Sequence, residues 1–171
     1  MTACADARAA TLPTASGLAV GVAGLGFIGV GLWARRDVRR ALAQERIVGS
    51  ADGGRPAAPV TDASGARAMA EFIRRNTVDA AGGRTYAETD PYVDAGGRPT
   101  PDRGLAAKDE RTGQPVENPD HALWIQSTAL QTALMQAYVA LRLAELTVAL
   151  GASFAAAGAG IAAAGRRRSA S

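Results

Sequence analysis

The chain has 171 residues, of which 40 are Ala and 20 are Gly, and aromatic side chains make up only 5%. Side chains this small bury little area each, which excludes a large water-soluble core. A single Cys and a single His exclude an internal disulfide, a Cys/His zinc cage and a two-His-one-carboxylate iron site within one chain. The formal charge of +3 does not make a nucleic-acid face, because residues 34–126 hold 14 basic and 14 acidic side chains.

In chain order, residues 1–14 read as a flexible N-terminus in which Cys4 is a free thiol. Residues 17–33, GLAVGVAGLGFIGVGLW, carry no charge. A helix crossing a hydrocarbon core of ~30 Å needs about 20 apolar residues. With Ala15 and Ser16 added, residues 15–33 are expected to form transmembrane helix 1, with Trp33 at the lipid–water boundary. A cleaved signal peptide is the rival reading. The offset of Arg8 by Asp6, and the lack of an A-x-A site after Trp33, argue against it. Cys4 precedes the apolar run, which excludes a lipoprotein. Residues 34–48 continue as a helical stem free of breakers.

Residues 49–120 form a polar domain, beginning with a loop over 49–62. A helix is expected at about 63–80, with Ala66, Met69, Ala70, Ile73 and Val78 on its apolar face and a left-handed Gly82 ending it. Residues 84–119 are rich in Pro and Gly and show neither a helical nor a strand period. They are expected to form a long irregular loop, or lid, over the stems. Asp120 is the expected N-cap of a second stem, residues 121–145. In that stem Leu123, Ser127, Leu130, Leu134, Ala137 and Leu141 recur at heptad-like spacing, and Val38, Leu42 and Ile47 would pack on them. Residues 146–165 are charge-free and long enough for transmembrane helix 2, and residues 166–171 are a basic tail holding Arg166, Arg167 and Arg168. A soluble Ala-rich helix is the alternative for this second run. The fold class is therefore an all-α membrane protein. It is an antiparallel hairpin of two long helices that span the bilayer and project from it, with a short helix and a long irregular loop between them.

Gly24, Gly26 and Gly29 match G-x-G-x-x-G, with Glu45 and Asp52 near the distance at which a dinucleotide fold places its acidic residue. No later run supplies the strands of a doubly wound sheet, so a nucleotide-binding oxidoreductase using the Gly24–Gly29 loop is kept as the alternative function. Gly17 with Gly21, and Gly151 with Ala155 and Ala159, have the small-xxx-small spacing of close helix contact in membranes. Arg142 and Glu145 read as an interfacial ion pair, with Tyr138 one turn earlier at headgroup level. His121 has no Cys or triad partner near it and reads as a solvated or capping residue. Glu88, Asp90 and Asp94 lack the spacing of a calcium loop.

The blocks GGRTYAE (82–88) and AAKDERTGQPVENP (106–119), with ERIVG (45–49) and LWIQSTALQTALMQAYVALRLAEL (123–146), carry a likeness over most of residues 34–150. In these the chain resembles a family of small actinobacterial membrane proteins of unknown function, in which two transmembrane helices flank a polar domain. Some members bear the automatic label "aromatic ring-opening dioxygenase". Extradiol ring opening needs an iron ligand set with two His, and only His121 is present. The resemblance implies no catalytic, cofactor-binding or metal residue, and none is expected from the residues themselves. The expected function is that of an integral membrane protein, not an enzyme, presenting its polar domain at the membrane surface for structural or interaction purposes. An accessory subunit of a larger membrane complex is a further alternative. The expected partners are the lipid bilayer and a membrane protein or a second copy, with no nucleic acid and no cofactor. Flanking basic residues number four on the terminal side and six on the other, which favours a cytoplasmic polar domain. The resemblance favours an extracytoplasmic one, and that orientation in the cell membrane is the expectation carried forward.

Overall fold

The structure, a computed structural model, describes residues 3–45 and 59–169, with side chains over 14–45 and 59–167. The elements are α1 (Ala3–Gln44), α2 (Ala63–Ala80), a 3-10 turn (Tyr86–Glu88), strands β1 (Tyr92–Val93) and β2 (Pro99–Thr100), and α3 (Pro119–Ser169). They divide into two compact units, one of Met1–Glu45 with Val139–Ser171 and one of Arg46–Tyr138. Helix α3 runs unbroken through 51 residues and contributes to both. The Cys4 side chain, Ile47, residues 49–58 and the end of the basic tail lie outside the described residues.

The first unit is a pair of antiparallel helices held at very short range. On α1 the more buried positions are Thr14, Gly17, Gly21, Gly24, Ile28 and Gly31, a 3,4,3,4,3 spacing. On α3 they are Leu141, Ala144, Val148, Gly151, Ala155, Gly158, Ala162 and Gly165, again alternating 3 and 4. A 3.5-residue repeat keeps one stripe of each helix facing the other. Glycine recurs every seventh position on both stripes, at 17, 24 and 31 and at 151, 158 and 165. A Cβ on Gly17 would lie 2.5 Å from the Ala162 nitrogen, and one on Gly24 2.5 Å from the Ala155 nitrogen. A Cβ on Gly31 would meet the Val148 side chain at 2.7 Å, and one on Gly165 would meet the Thr14 hydroxyl. These positions admit hydrogen alone, so the two backbones touch. Phe27 and Phe154 meet with ring centroids 6.1 Å apart.

Three expectations change here. The helix begins at Ala3 and passes through residues assigned to a flexible terminus, in keeping with the Ala-rich stretch 3–10. The small-residue stripe of α3 continues from Gly151 and Ala155 to Gly158 and Ala162, leaving Ala159 exposed, because the repeat is seven rather than four. The G-x-G-x-x-G motif lies inside α1, not at a strand-to-helix turn, and Gly24 is packed against α3. A helix interior has its backbone N–H groups committed to i−4 carbonyls, so this stretch offers no phosphate cradle.

In the second unit α2 occupies the residues expected of it. The Asp62 carboxylate caps it by accepting from the Gly65 N–H at 2.7 Å. Its end is a Schellman motif: Gly82 N–H donates to Asp79 O at 3.1 Å and Gly83 N–H to Val78 O at 2.8 Å. Both glycines are left-handed, with φ of 65° and 83°. The buried face is Ala63, Ala66, Ala70 and Thr77, while Met69, Ile73 and Val78 are half-buried beside it. On α3 the buried positions are Trp124, Ser127 and Leu134, with Gln131 and Tyr138 half-buried. Leu130, placed in the seam by the sequence, is 57% exposed, because the true register runs 124, 127, 131, 134, 138.

Candidate functional site

Residues 84–118 are not irregular. They fold as a small set of short antiparallel pairings: β1 with β2, Tyr92 with Glu117, Asp94 with Ala106 and Lys108 with Pro115. No period marks them in the sequence because the strands are two residues long and the turns between them carry the information. Each turn is nucleated by an aspartate accepting backbone N–H groups. Asp94 accepts from Gly96 at 2.8 Å and Arg98 at 2.9 Å, with Gly97 left-handed between them. Asp102 accepts from Gly104 at 2.7 Å. Asp109 accepts from Arg111 at 3.1 Å and from both the amide and hydroxyl of Thr112, before the left-handed Gly113.

The chain between α2 and β1 is fastened to the first turns of α3. Asn118, rather than Asp120, caps that helix: its Oδ1 accepts from the Asp120 N–H at 3.1 Å, and Pro119 fills the first helical position. The Asn118 amide also donates to Asp90 O at 2.8 Å, so one buried side chain sets both the loop and the helix start. Asp120, freed from capping, pairs with Arg84. Asn118→Ala is expected to cost about 1–2 kcal/mol. Faster amide hydrogen exchange at Asp120 and His121 is the measurement.

His121 packs on Tyr86 with ring centroids 4.7 Å apart. Its Nδ1 lies 3.0 Å from the Thr89 carbonyl, which only accepts, so Nδ1 carries the proton and donates. Trp124 is buried and donates from Nε1 to Arg84 O at 3.2 Å. Beside these rings, Tyr86, Ile125 and Thr128 line a shallow depression. Sequence reasoning left Tyr86 and Trp124 out of any site. The three-residue spacing of His121 and Trp124 on one helix was the available signal for a shared docking face.

The acids singled out as a cation cluster are separated by their structural tasks. The Glu88 carboxylate accepts from the Thr85 N–H and hydroxyl, both at 2.7 Å, in a capping box. Asp94 holds its turn, and the Asp90 carbonyl receives Asn118. Among the described residues no three His, Cys, Asp or Glu side chains converge as a metal would require. The hydrogen bonds to Glu88, from the Thr85 backbone and then its hydroxyl, hold its carboxyl below the usual range. Asp94 is lowered chiefly by the Arg98 N–H, and Asp109 by the Thr112 hydroxyl and N–H. A carboxyl depressed in the folded state stabilises above its ordinary pKa, and that contribution is lost as pH falls through the depressed value. NMR titration is therefore expected to place all three below the ordinary range of their residue types, with the turns loosening only under more acid conditions.

Compared with known proteins, the chain matches no family model, no curated protein and no solved structure. Two of its helices are long and apolar enough to cross a membrane, within Thr14–Gln44 and Pro119–Arg167. In each, 17% of the most apolar 18-residue window is buried.

Proposed function

We propose that the α1–α3 pair lies in a lipid bilayer and that the protein is a membrane-anchored structural and interaction module, not an enzyme. The observation that carries this is the inverted polarity of size in the pair. Glycine and alanine occupy the contact stripe, while Leu18, Val22, Leu25, Val30, Leu146 and Leu150 are each at least half exposed. In water such an arrangement leaves large apolar side chains unburied along both helices, the kind of apolar face that marks contact with a membrane or another protein. In lipid the outward Leu and Val cost nothing, and close backbone approach through small residues supplies van der Waals attraction. The charges fit this belt: Arg35 and Arg36 follow Trp33 on α1, and Arg166 and Arg167 follow Gly165 on α3.

At 51 residues α3 is about 77 Å long, more than twice the hydrocarbon thickness. Its N-terminal part therefore stands outside the bilayer with the second unit. There Tyr86, Leu105, Ile125 and Leu130 are about half exposed or more, which supports a protein-facing role. The reading agrees with the resemblance to two-span actinobacterial membrane proteins, and membership of that family is part of the proposal. An extracytoplasmic polar unit is the orientation proposed. Alkaline carbonate washing of membranes tests the anchoring, and recovery in the supernatant would end it. Impermeant thiol labelling of Ser64→Cys in a Cys4→Ser background tests the orientation. Labelling of intact cells is expected, and protection until lysis reverses the topology.

A further inference from the structure

We infer that α1 carries a binding face for the phosphate of an anionic glycerophospholipid, formed by Trp33, Arg36 and Arg40; this rests on the bilayer reading above. Spacings of three and four place these residues on one side of the helix. Trp33 is 68% exposed, the most exposed of the aromatic residues. Arg36 and Arg40 are exposed, and neither forms an ion pair among the described residues. Residues 33–40 hold four arginines against the single aspartate Asp37.

The antiparallel register identifies the depth of this face. Gly31 sits against Ala144 and Val148, so the turn after it lies level with Arg142 and Glu145 of α3. Those two neutralise each other, at 2.8 Å. The net positive charge at this end of the pair therefore belongs to α1, immediately beyond its uncharged run. An indole at the boundary and guanidinium groups one and two turns further match the sequence of layers in a phospholipid: acyl chain, glycerol, phosphate. Guanidinium groups bind phosphate through paired N–H donors, and a basic residue close to an anionic membrane surface gains from the lipid charge. A zwitterionic lipid offers the same phosphate with its charge cancelled, so the face discriminates by net headgroup charge.

The test uses the full chain in vesicles of phosphatidylcholine with 20 mol% phosphatidylglycerol (about this fraction keeps the surface anionic), with bromine on the acyl chains of one lipid at a time. Quenching of Trp33 is taken as the difference between wild type and Trp33→Phe. At equal mole fraction, brominated phosphatidylglycerol is expected to show an association constant at least about fivefold that of brominated phosphatidylcholine, the gain of a single arginine at an anionic surface. Arg36→Gln with Arg40→Gln is expected to bring the ratio to about one, and Arg36→Lys with Arg40→Lys to keep most of it. Arg166→Gln with Arg167→Gln, at the other end of the pair, is expected to leave it unchanged. Equal quenching by the two lipids in wild type, or a preference that survives the glutamine pair, overturns the lipid face while the bilayer reading stands. No quenching by either lipid overturns both.

Discussion

Gly158→Leu is expected to separate α1 from α3, at a cost of about 3 kcal/mol or more. The Cβ alone would collide with the Gly21 nitrogen, and it would lie 2.5 Å from the Gly17 oxygen. Both obstacles are backbone, so no rotamer change relieves them, and the helices must move apart along the whole glycine repeat. Gly160→Leu is the matched comparison on the same helix. A Cβ there meets nothing within 4 Å, and the change gains helix propensity of up to about 1 kcal/mol. Pyrene excimer emission between cysteines placed at Phe27 and Phe154, which meet across the pair, in a Cys4→Ser background reads the pairing. The signal should vanish at lower SDS in Gly158→Leu and hold in Gly160→Leu. Equal behaviour of the two variants would mean that the glycine stripe does not set the approach.

Trp124→Ala is expected to destabilise the second unit by about 3–5 kcal/mol, the range for removing a large buried aromatic. The indole is 6% exposed and its N–H satisfies the Arg84 carbonyl just after the Schellman turn. Losing it removes packing and a tether that joins the loop to α3. Trp124→Phe keeps most of the packing and gives up the hydrogen bond, at about 1 kcal/mol. Urea unfolding monitored by near-ultraviolet dichroism of the loop tyrosines, Tyr86 and Tyr92, separates the two costs. A Trp124→Ala change below that of the Phe variant would remove Trp124 from the centre of this unit.

The long elements were legible because lipid-length apolar runs and breaker-free stretches leave plain marks. Residues 17–33 and 146–165 fall inside α1 and α3, and the helix expected at about 63–80 is α2, with Gly82 left-handed just after it. The pairing geometry was half legible. A four-residue period selects Ala159, whereas a seven-residue glycine repeat at 17, 24, 31 and 151, 158, 165 selects Gly158 and Ala162, and abundant Ala and Gly satisfy both patterns. Leu130 was misplaced for a related reason. Hydrophobicity favoured it over Gln131, but a heptad continuous with Trp124, Ser127 and Leu134 turns position 131 inward and 130 outward. The 84–118 segment was the least legible. Its order comes from Asp94, Asp102 and Asp109 binding their own backbone and from Asn118 reaching back to Asp90, contacts that have turn chemistry but no period. The clasp of Tyr86, His121 and Trp124 arises only once that segment is folded.

Whether lipid is the solvent of the glycine-paired helices is tested most directly by spin labels at Leu18, Val22, Leu25 and Val30, with the full chain in vesicles. The account predicts strong relaxation by oxygen and weak relaxation by a water-soluble nickel chelate at all four, with the depth parameter greatest at Val22 and Leu25. Strong relaxation by the chelate at Val22 and Leu25 would contradict it, since it would put the most exposed apolar face of α1 in water.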